Sequence, residues 1–508
     1  MTSNSEISET RIRNIVIVGG GTAGWMTAAV LSRAFGHAMN ITLIESEQIG
    51  TVGVGEATIP QIRLINRYLG LDEDEFIAAT QGSFKLGIRF DGWTRFNHSY
   101  IHAFGEIGHG HDILPFHQYW LRARDEGFGR DLWSYSLNAE AASENRFARI
   151  KPGEAPVPSG INYAFHFDAS LYAAYLRKYA EARGVKRAEA RVRDIQLDGE
   201  TGNISQLALD DERRITGELF IDCSGFRGLL IEHALKAGYT DWTGWLPCDR
   251  AAAVPTARTE PIVPYTRAIA RKAGWQWRIP LQHRTGNGHV YCSRYISDDE
   301  AVAMLMDNLD SEPQAEPRLL RFTTGHRKSF WKRNCVAIGL AAGFMEPLES
   351  TSIHLVQSGI SRLLTLFPDT AFDQSLAEEY NRQTTHEYER IRDFLILHYH
   401  ANGRIGEAFW EERLSTDIPE SLRQKMQLFR ATGQIVREAD ELFTEQSWLQ
   451  VLLGQDIPPR SCHAATGAMN TGQLTEFMSQ TRRAVKRTVR NMPMHEEFLK
   501  RHCPAAKI

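Results

Sequence analysis

Nothing in this chain approaches the ~18–20 consecutive apolar residues that a membrane-spanning helix requires, and no membrane partner is expected. Cysteine is scarce: the six residues Cys223, Cys248, Cys292, Cys335, Cys462 and Cys503 are scattered, with no CxxC pair. Neither a disulfide framework nor a zinc site follows, no metal is expected, and a reducing cytoplasm is the simplest compartment. Charge of either sign is not in excess. The 58 Lys and Arg against 62 Asp and Glu leave a formal net charge of −4, which argues against nucleic acid as a partner, because phosphate binding needs a basic surface. The start, MTSNSEISETRIRN, has no apolar core and so does not read as a secretory signal; residues 1–10 are expected to be flexible. What is present is ordinary globular composition, 42% apolar and 24% charged over 508 residues, enough for two to four domain-sized units.

The first informative stretch is Asn14–Val18, NIVIV, a short buried strand that meets Gly19, Gly20, Gly21, Thr22, Ala23 and Gly24. WMTAAVLSRAFG follows at helical spacing, then the strand Ile41-Thr42-Leu43-Ile44 ending at Glu45. Strand, glycine turn, helix, strand and acid form the dinucleotide-binding unit. Gly19 permits the tight turn, Gly21 the approach of a pyrophosphate, and Gly24 close helix–strand packing, with the phosphates at the helix N-terminus. Glu45 stands at roughly the 20-residue offset expected for an acid that binds a ribose hydroxyl. FAD and NAD are not separated by this motif, and no second GxGxxG with its own acid occurs.

Further along, GVGEATIP (53–60) reads as a second glycine-rich loop. FKLGIRFDGW (84–93) alternates like a half-buried strand, and residues 97–160 lack periodicity and read as long loops. Asp168 is placed to cap a helix running to Arg183. ARVRDIQLD, LFI (219–221) and CVAIGL (335–340) read as strands, and Ser352–Phe367 as a helix. The pattern from about 370 onward is helical and ends in TRRAVKRTVRNM, where Arg482, Lys486 and Arg490 recur every four residues as a solvated helix face. The nucleotide-binding strands therefore come from three separated places. The fold expected is α/β, a Rossmann-like unit over 11–370 with substrate-facing insertions at about 97–165 and 250–330. A mainly helical region, 371–508, covers the substrate.

Four segments together, GGGTAGW (19–25), GVGEATIP (53–60), GWQWRIP (274–280) and GLAAGFMEPLESTSI (339–353), resemble the flavin-dependent halogenases of the tryptophan-halogenase type. The resemblance runs from about residue 11 to about 400. It implies FAD, used as FADH2, held by Gly20, Ala23, Glu45, Ser46, Ile49, Val52, Ala57, Val192, Leu340 and Ile353. It implies a catalytic Lys85 and Glu349, with Ser350 near the substrate and Thr351 and Ser352 holding chloride or bromide through backbone N–H groups. Family members of tryptophan specificity often carry glycine at the position of Ser352. Glu346 matches the first glutamate of the same block and is assigned no chemistry. His102 and Phe104 match positions that sandwich the substrate ring, and Trp275 and Trp277 match indoles lining the corridor from flavin to substrate. The same two tryptophans read equally well as an aromatic pair on one strand face.

The implied route starts with a separate flavin reductase supplying FADH2. Reaction with O2 gives a flavin hydroperoxide, and halide attack on it gives hypohalous acid. Lys85 takes up the acid, as a hydrogen-bonded species or a haloamine, and Glu349 assists substitution on a small electron-rich aromatic. A flavin-dependent aromatic monooxygenase and a non-catalytic flavin-binding regulator are the competing readings. Tryptophan-specific members use a lid with paired tyrosines and a glutamate. The matching stretch here, EADELFTEQSW (438–448), has no tyrosine, nor does anything after Tyr399, although Glu441 and Glu445 are there to meet an ammonium. Burying a zwitterion without partners is costly, so indole or a similar neutral arene is the expected substrate and free tryptophan a poor one.

Overall fold

The computed structural model describes residues 11–48, 55–157 and 159–506. The chain divides into two compact units, each assembled from three segments: residues 1–80, 167–244 and 322–388 in the first, and 81–166, 245–321 and 389–508 in the second.

The first unit is built on a six-stranded sheet in the order Trp331–Lys332, Cys335–Ala337, Leu219–Asp222, Asn14–Val18, Asn40–Glu45, Lys186–Glu189. All neighbours run parallel except the first pair. Parallel strands need crossover connections that cover both faces, so the central strand is apolar throughout and Ile15, Val16 and Ile17 are buried. The glycine-initiated helix Thr22–Phe35 packs against the helices Ala169–Glu181 and Ser352–Thr365. Asp168 caps the second of these, its carboxylate accepting from the N–H groups of Ser170 and Leu171. A three-stranded antiparallel sheet, Val192–Leu197, Ile204–Leu209 and Arg214–Thr216, completes the nucleotide-binding strands.

The second unit carries a seven-stranded sheet in the order Arg318–Arg321, Arg250–Ala257, Arg284–Tyr291, Gly274–Pro280, Thr266–Arg271, Gly87–Asp91, Ser99–Ala103. Its two faces differ in chemistry because side chains alternate along each strand. One face carries Trp275 and Trp277, beside the small residues Ala268, Ala270 and Gly288 of the adjacent strands. The other carries Arg89, Asp91, Arg267, Gln276 and Arg278, tied by Arg89–Asp91 and Arg267–Asp91 contacts of 2.8 and 2.9 Å. Residues 389–506 are mainly helical, as their periodicity predicts. Helix Thr471–Arg490 buries Leu474, Met478, Val485 and Val489 and exposes Lys486, Arg487 and Arg490.

Two readings of the sequence need correction. Residues 97–160 are loop in large part but not throughout: they also hold the strand Ser99–Ala103 and the helices Phe116–Asp125 and Leu137–Ser143. The first helix has ten residues, seven of them buried, the polar His117 and Gln118 among them, so its buried side does not read as an apolar stripe. The stretch 84–93 is not one strand. It breaks at Leu86, leaving Ser83–Lys85 paired with Ala164–His166 and Gly87–Asp91 in the large sheet. No helix among the described residues is long and apolar enough to cross a membrane.

Candidate active site

In the first unit the glycine loop does what its residue types require. Gly19 has φ +116°, and a Cβ there would lie 2.2 Å from the Cys223 carbonyl oxygen. A Cβ on Gly24 would lie 1.8 Å from the Gly19 oxygen, and one on Gly20 would occupy the space of the Glu45 carboxylate. A Cβ on Gly21 would meet nothing within 4 Å. Gly21 is also the N-cap of Thr22–Phe35 and supplies no capping side chain, so the first-turn N–H groups stand ready for an anion. Glu45 ends its strand and accepts from Trp25 Nε1 at 3.3 Å and from Arg187. Ala190 N–H bonds the Glu45 carbonyl at 2.9 Å, which brings Val192 to the same end of the sheet. Ser46 follows half-buried, and Ala57 is buried. Burial pushes the neighbouring Glu56 carboxyl up to about 7. Ile49 and Val52 lie outside the described residues, as do residues 1–10.

The turn Gly339–Ala341, with Leu340, sits beside Ala23, whose Cβ is 2.8 Å from where a Gly339 Cβ would be. Beyond it, Glu346 and Glu349 are both fully buried. Ser350 adopts a left-handed conformation, φ +59°, of the kind that costs a non-glycine residue roughly 1–3 kcal/mol and gathers at functional sites. Thr351 then caps the helix Ser352–Thr365 without a side-chain hydrogen bond to it, leaving that N-terminus able to receive an anion. Ile353 is buried on the helix's apolar face. The unit thus brings the glycine loop, Leu340 and the Thr351–Ile353 helix start together. A group the sequence did not reveal is Glu387, which accepts from His354 Nε2 at 2.9 Å, Ser358 Oγ at 2.8 Å and Arg362 Nη2 at 3.1 Å. Burial alone would raise its pKa, but these donors hold it down at about 2. Its partners lie some thirty residues away, on another helix, so no spacing pattern marks it.

In the second unit Lys85 is fully buried, its Nζ 5.2 Å from the centroid of the Phe104 ring. The two are joined through the backbone, because Phe104 N–H donates to the carbonyl of Leu86 at 2.8 Å. His102 and Phe104 stand 6.5 Å apart, edge to face. His102 also contacts Phe394 and Phe443, which stack at 3.8 Å, and Trp448 meets Phe394 at 4.9 Å. Phe394, Phe443 and Trp448 carry no sequence signal of their own, since a buried aromatic reads equally as core. Gln450 fixes this wall: its amide accepts from Ala103 N–H and donates to Ala103 C=O, both at 3.0 Å. Trp275 and Trp277 lie on one strand face, 6.2 Å apart, with Trp277 covering Gly288. Glu441 is buried and already paired: Lys425 Nζ lies 2.8 and 3.1 Å from its two oxygens and sits over the Trp448 ring.

A family model for tryptophan halogenase matches residues 14–471. The chain belongs to the tryptophan halogenase family. This halogenase is 49% identical to a flavin-dependent halogenase from Xanthomonas campestris of known structure, with 98% of this chain and 100% of that one covered and a TM-score of 0.95. A flavin-dependent halogenase from Brevundimonas sp. BAL3 is 46% identical, with 97% and 100% covered and a TM-score of 0.94. A tryptophan 6-halogenase from Streptomyces toxytricini is 36% identical over 438 residues, 82% of this chain and 83% of that protein. The enzyme is therefore a flavin-dependent halogenase with the flavin-binding α/β fold.

Proposed function

We propose that this enzyme halogenates a neutral, electron-rich arene such as indole, with chloride or bromide, and handles free tryptophan poorly. The observation that carries the substrate reading is the Lys425–Glu441 pair. Within 438–448, Glu441 is the buried carboxylate, and its charge is already matched by a lysine of the same unit. An amino-acid ammonium arriving there would have to displace Lys425 or go unpaired, and an unpaired buried charge is strongly disfavoured. A neutral ring bears no such cost and needs only the aromatic walls of His102, Phe104, Phe394 and Trp448.

The uncapped glycine-loop helix and the open side of Gly21 fit a dinucleotide pyrophosphate, and Glu45 fits a ribose hydroxyl. FAD, reduced by a separate reductase, supplies the electrons that turn O2 into the oxidant for halide. Gly19, Gly20, Gly21, Ala23, Gly24, Glu45, Ser46, Ala57, Val192, Leu340 and Ile353 hold that cofactor in our reading, together with Ile49 and Val52. The backbone N–H groups at Thr351 and Ser352 hold the halide before oxidation. Trp275 and Trp277 line an apolar path that keeps water from the oxidised halogen. Lys85 directs the halogen, as hypohalous acid or a haloamine, to the ring carbon, Ser350 hydrogen-bonds near the substrate, and Glu349 stabilises the cationic ring or takes its proton. Orientation of this kind contributes several kcal/mol to barrier lowering, and a carboxylate beside developing positive charge adds to it.

The test is a competition between equal concentrations of indole and tryptophan, with FAD, bromide or chloride, and an unrelated flavin reductase, products being identified by mass and position. Indole is expected to be consumed first, at its most nucleophilic carbon, and omission of the reductase to stop the reaction. Preference for tryptophan at a benzo-ring carbon would overturn the substrate reading.

A further inference from the structure

Lys85 ends a strand of only three residues, Ser83–Lys85, and that strand is gripped by two buried histidines whose proton positions the hydrogen bonds determine. Ser83 Oγ lies 2.6 Å from the Pro280 carbonyl and 2.9 Å from His166 Nδ1. A carbonyl can only accept and a serine has one hydroxyl hydrogen, so that hydrogen goes to Pro280. His166 Nδ1 must then carry a hydrogen and donate to Ser83. The other ring nitrogen, Nε2, lies 2.9 Å from Thr266 Oγ1 and, in the neutral ring, accepts from that hydroxyl. The neutral form is the stable one: burial first, then the charge of Lys85 and the proximity of His495, hold the His166 pKa well below the ordinary histidine value. His495 is fixed in the same way. Phe84 N–H donates to its Nε2 at 3.1 Å, which leaves Nδ1 as the protonated nitrogen, donating to the Ile262 carbonyl at 2.8 Å.

The geometry relates this chain of bonds to Lys85. Ser83 pairs with His166 and Lys85 with Ala164, so Ser83, His166 and Lys85 project from one face of the ladder. The bonds end on Thr266, first residue of one strand of the large sheet, and on Pro280, last residue of the strand carrying Trp275 and Trp277. Immediately after Lys85, Leu86 N–H is held by the Pro264 carbonyl at 2.7 Å. A three-residue strand has little pairing of its own to set its register; here side-chain bonds on both edges set it.

We propose that Ser83, His166 and Thr266 are positioning residues for Lys85: a directed hydrogen-bond chain that fixes the lysine's strand against the tryptophan strand and places an uncharged imidazole beside its ammonium. This rests on the reading that Lys85 directs the halogen. If the lysine is displaced, oxidised halogen is still made but escapes before reaching the ring.

The experiment measures halogenated indole formed per O2 reduced, with FAD, bromide and a separate reductase. Escaped hypohalite is read with monochlorodimedone, and FAD affinity is measured by fluorescence quenching. Thr266→Val keeps shape and removes the donor to Nε2; it is expected to lower product per O2 by up to about 100-fold, the loss that a misplacement of ~1 Å can cause, with hypohalite rising and FAD affinity unchanged. Thr266→Ser restores the hydroxyl and is expected to couple like the parent. Ser83→Ala, which removes the acceptor for Nδ1–H, is the second variant, expected to behave as Thr266→Val. Parental coupling in both Thr266→Val and Ser83→Ala, while Lys85→Ala forms no product, would overturn this inference alone. Parental product formation by folded Lys85→Ala would overturn the Lys85 reading and this inference with it.

Discussion

At the scale of single residues, the decisive feature is how completely several charged groups are withdrawn from water. Lys85, Glu346 and Glu349 are fully buried, and charged residues reach that state only with partners. The aromatic wall beside Lys85 is similarly specific. Phe104 lies under the lysine and edge-on to His102, so truncating it removes a ring contact worth ~0.5–1.5 kcal/mol. Phe104→Ala is expected to raise the arene KM by a few-fold to about tenfold, or to scatter the position of halogenation, with FAD affinity unchanged. Steady-state kinetics and product regiochemistry on one arene check this. Unchanged values for both would mean that Phe104 packs the core and does not face the substrate.

At the scale of elements, helix starts differ in how their first N–H groups are met. Some are capped by side chains, Asp168 for Ala169–Glu181 and the Ser297–Glu300 box for Asp298–Met306, whereas others, such as Phe116–Asp125 and Glu420–Thr432, are not. The two helices expected to hold anions, Thr22–Phe35 and Ser352–Thr365, have no such cap. Asp222 shows the same economy at a strand end: fully buried, it accepts from the N–H groups of Ser224, Leu230 and Ile231 and so holds the turn that Gly19 packs against. Asp168→Ala is expected to cost about 1 kcal/mol. It should appear as a lower urea midpoint with an unaltered denaturant slope, and halogenation by the folded enzyme should be unaffected.

At the scale of the whole molecule, buried histidines make stability fall on acidification. Burial lowers the pKa of His495 and of His289 to about 4, against about 6.5 in the unfolded chain. These are depressed values, so the stability is fully present above pH 6.5. It is lost as pH falls toward 4, because the unfolded chain takes up protons that the folded one refuses. Each group then accounts for on the order of 3 kcal/mol between those limits. Glu387, held at about 2, extends the loss in the same direction, between pH 4.5 and 2. Urea unfolding at intervals from pH 7 to 4 is expected to show this decline, with a shallower slope in His289→Gln. A flat profile would refute the neutral-histidine reading.

The sequence by itself determined the parts that depend on local chain geometry. The strand–glycine–helix–strand–acid unit is one example, since Gly19 and Gly24 are required by φ and by close approach. Others are the Asp168 cap, the helical C-terminal region and, through four short segments, the family. The two-faced strand of Trp275 and Trp277 was legible too, because alternation along a strand is local. Tertiary structure alone decided what depends on residues far apart in the chain. Glu387 joins His354 from the next helix, Gln450 bonds Ala103 across 347 positions, and His495 reaches Phe84 across 411. It also decided that Glu441 is neutralised by Lys425 and that 84–93 divides between two sheets. Such contacts follow from packing and from the need of every buried polar group for a partner, and neither leaves a periodic trace in sequence.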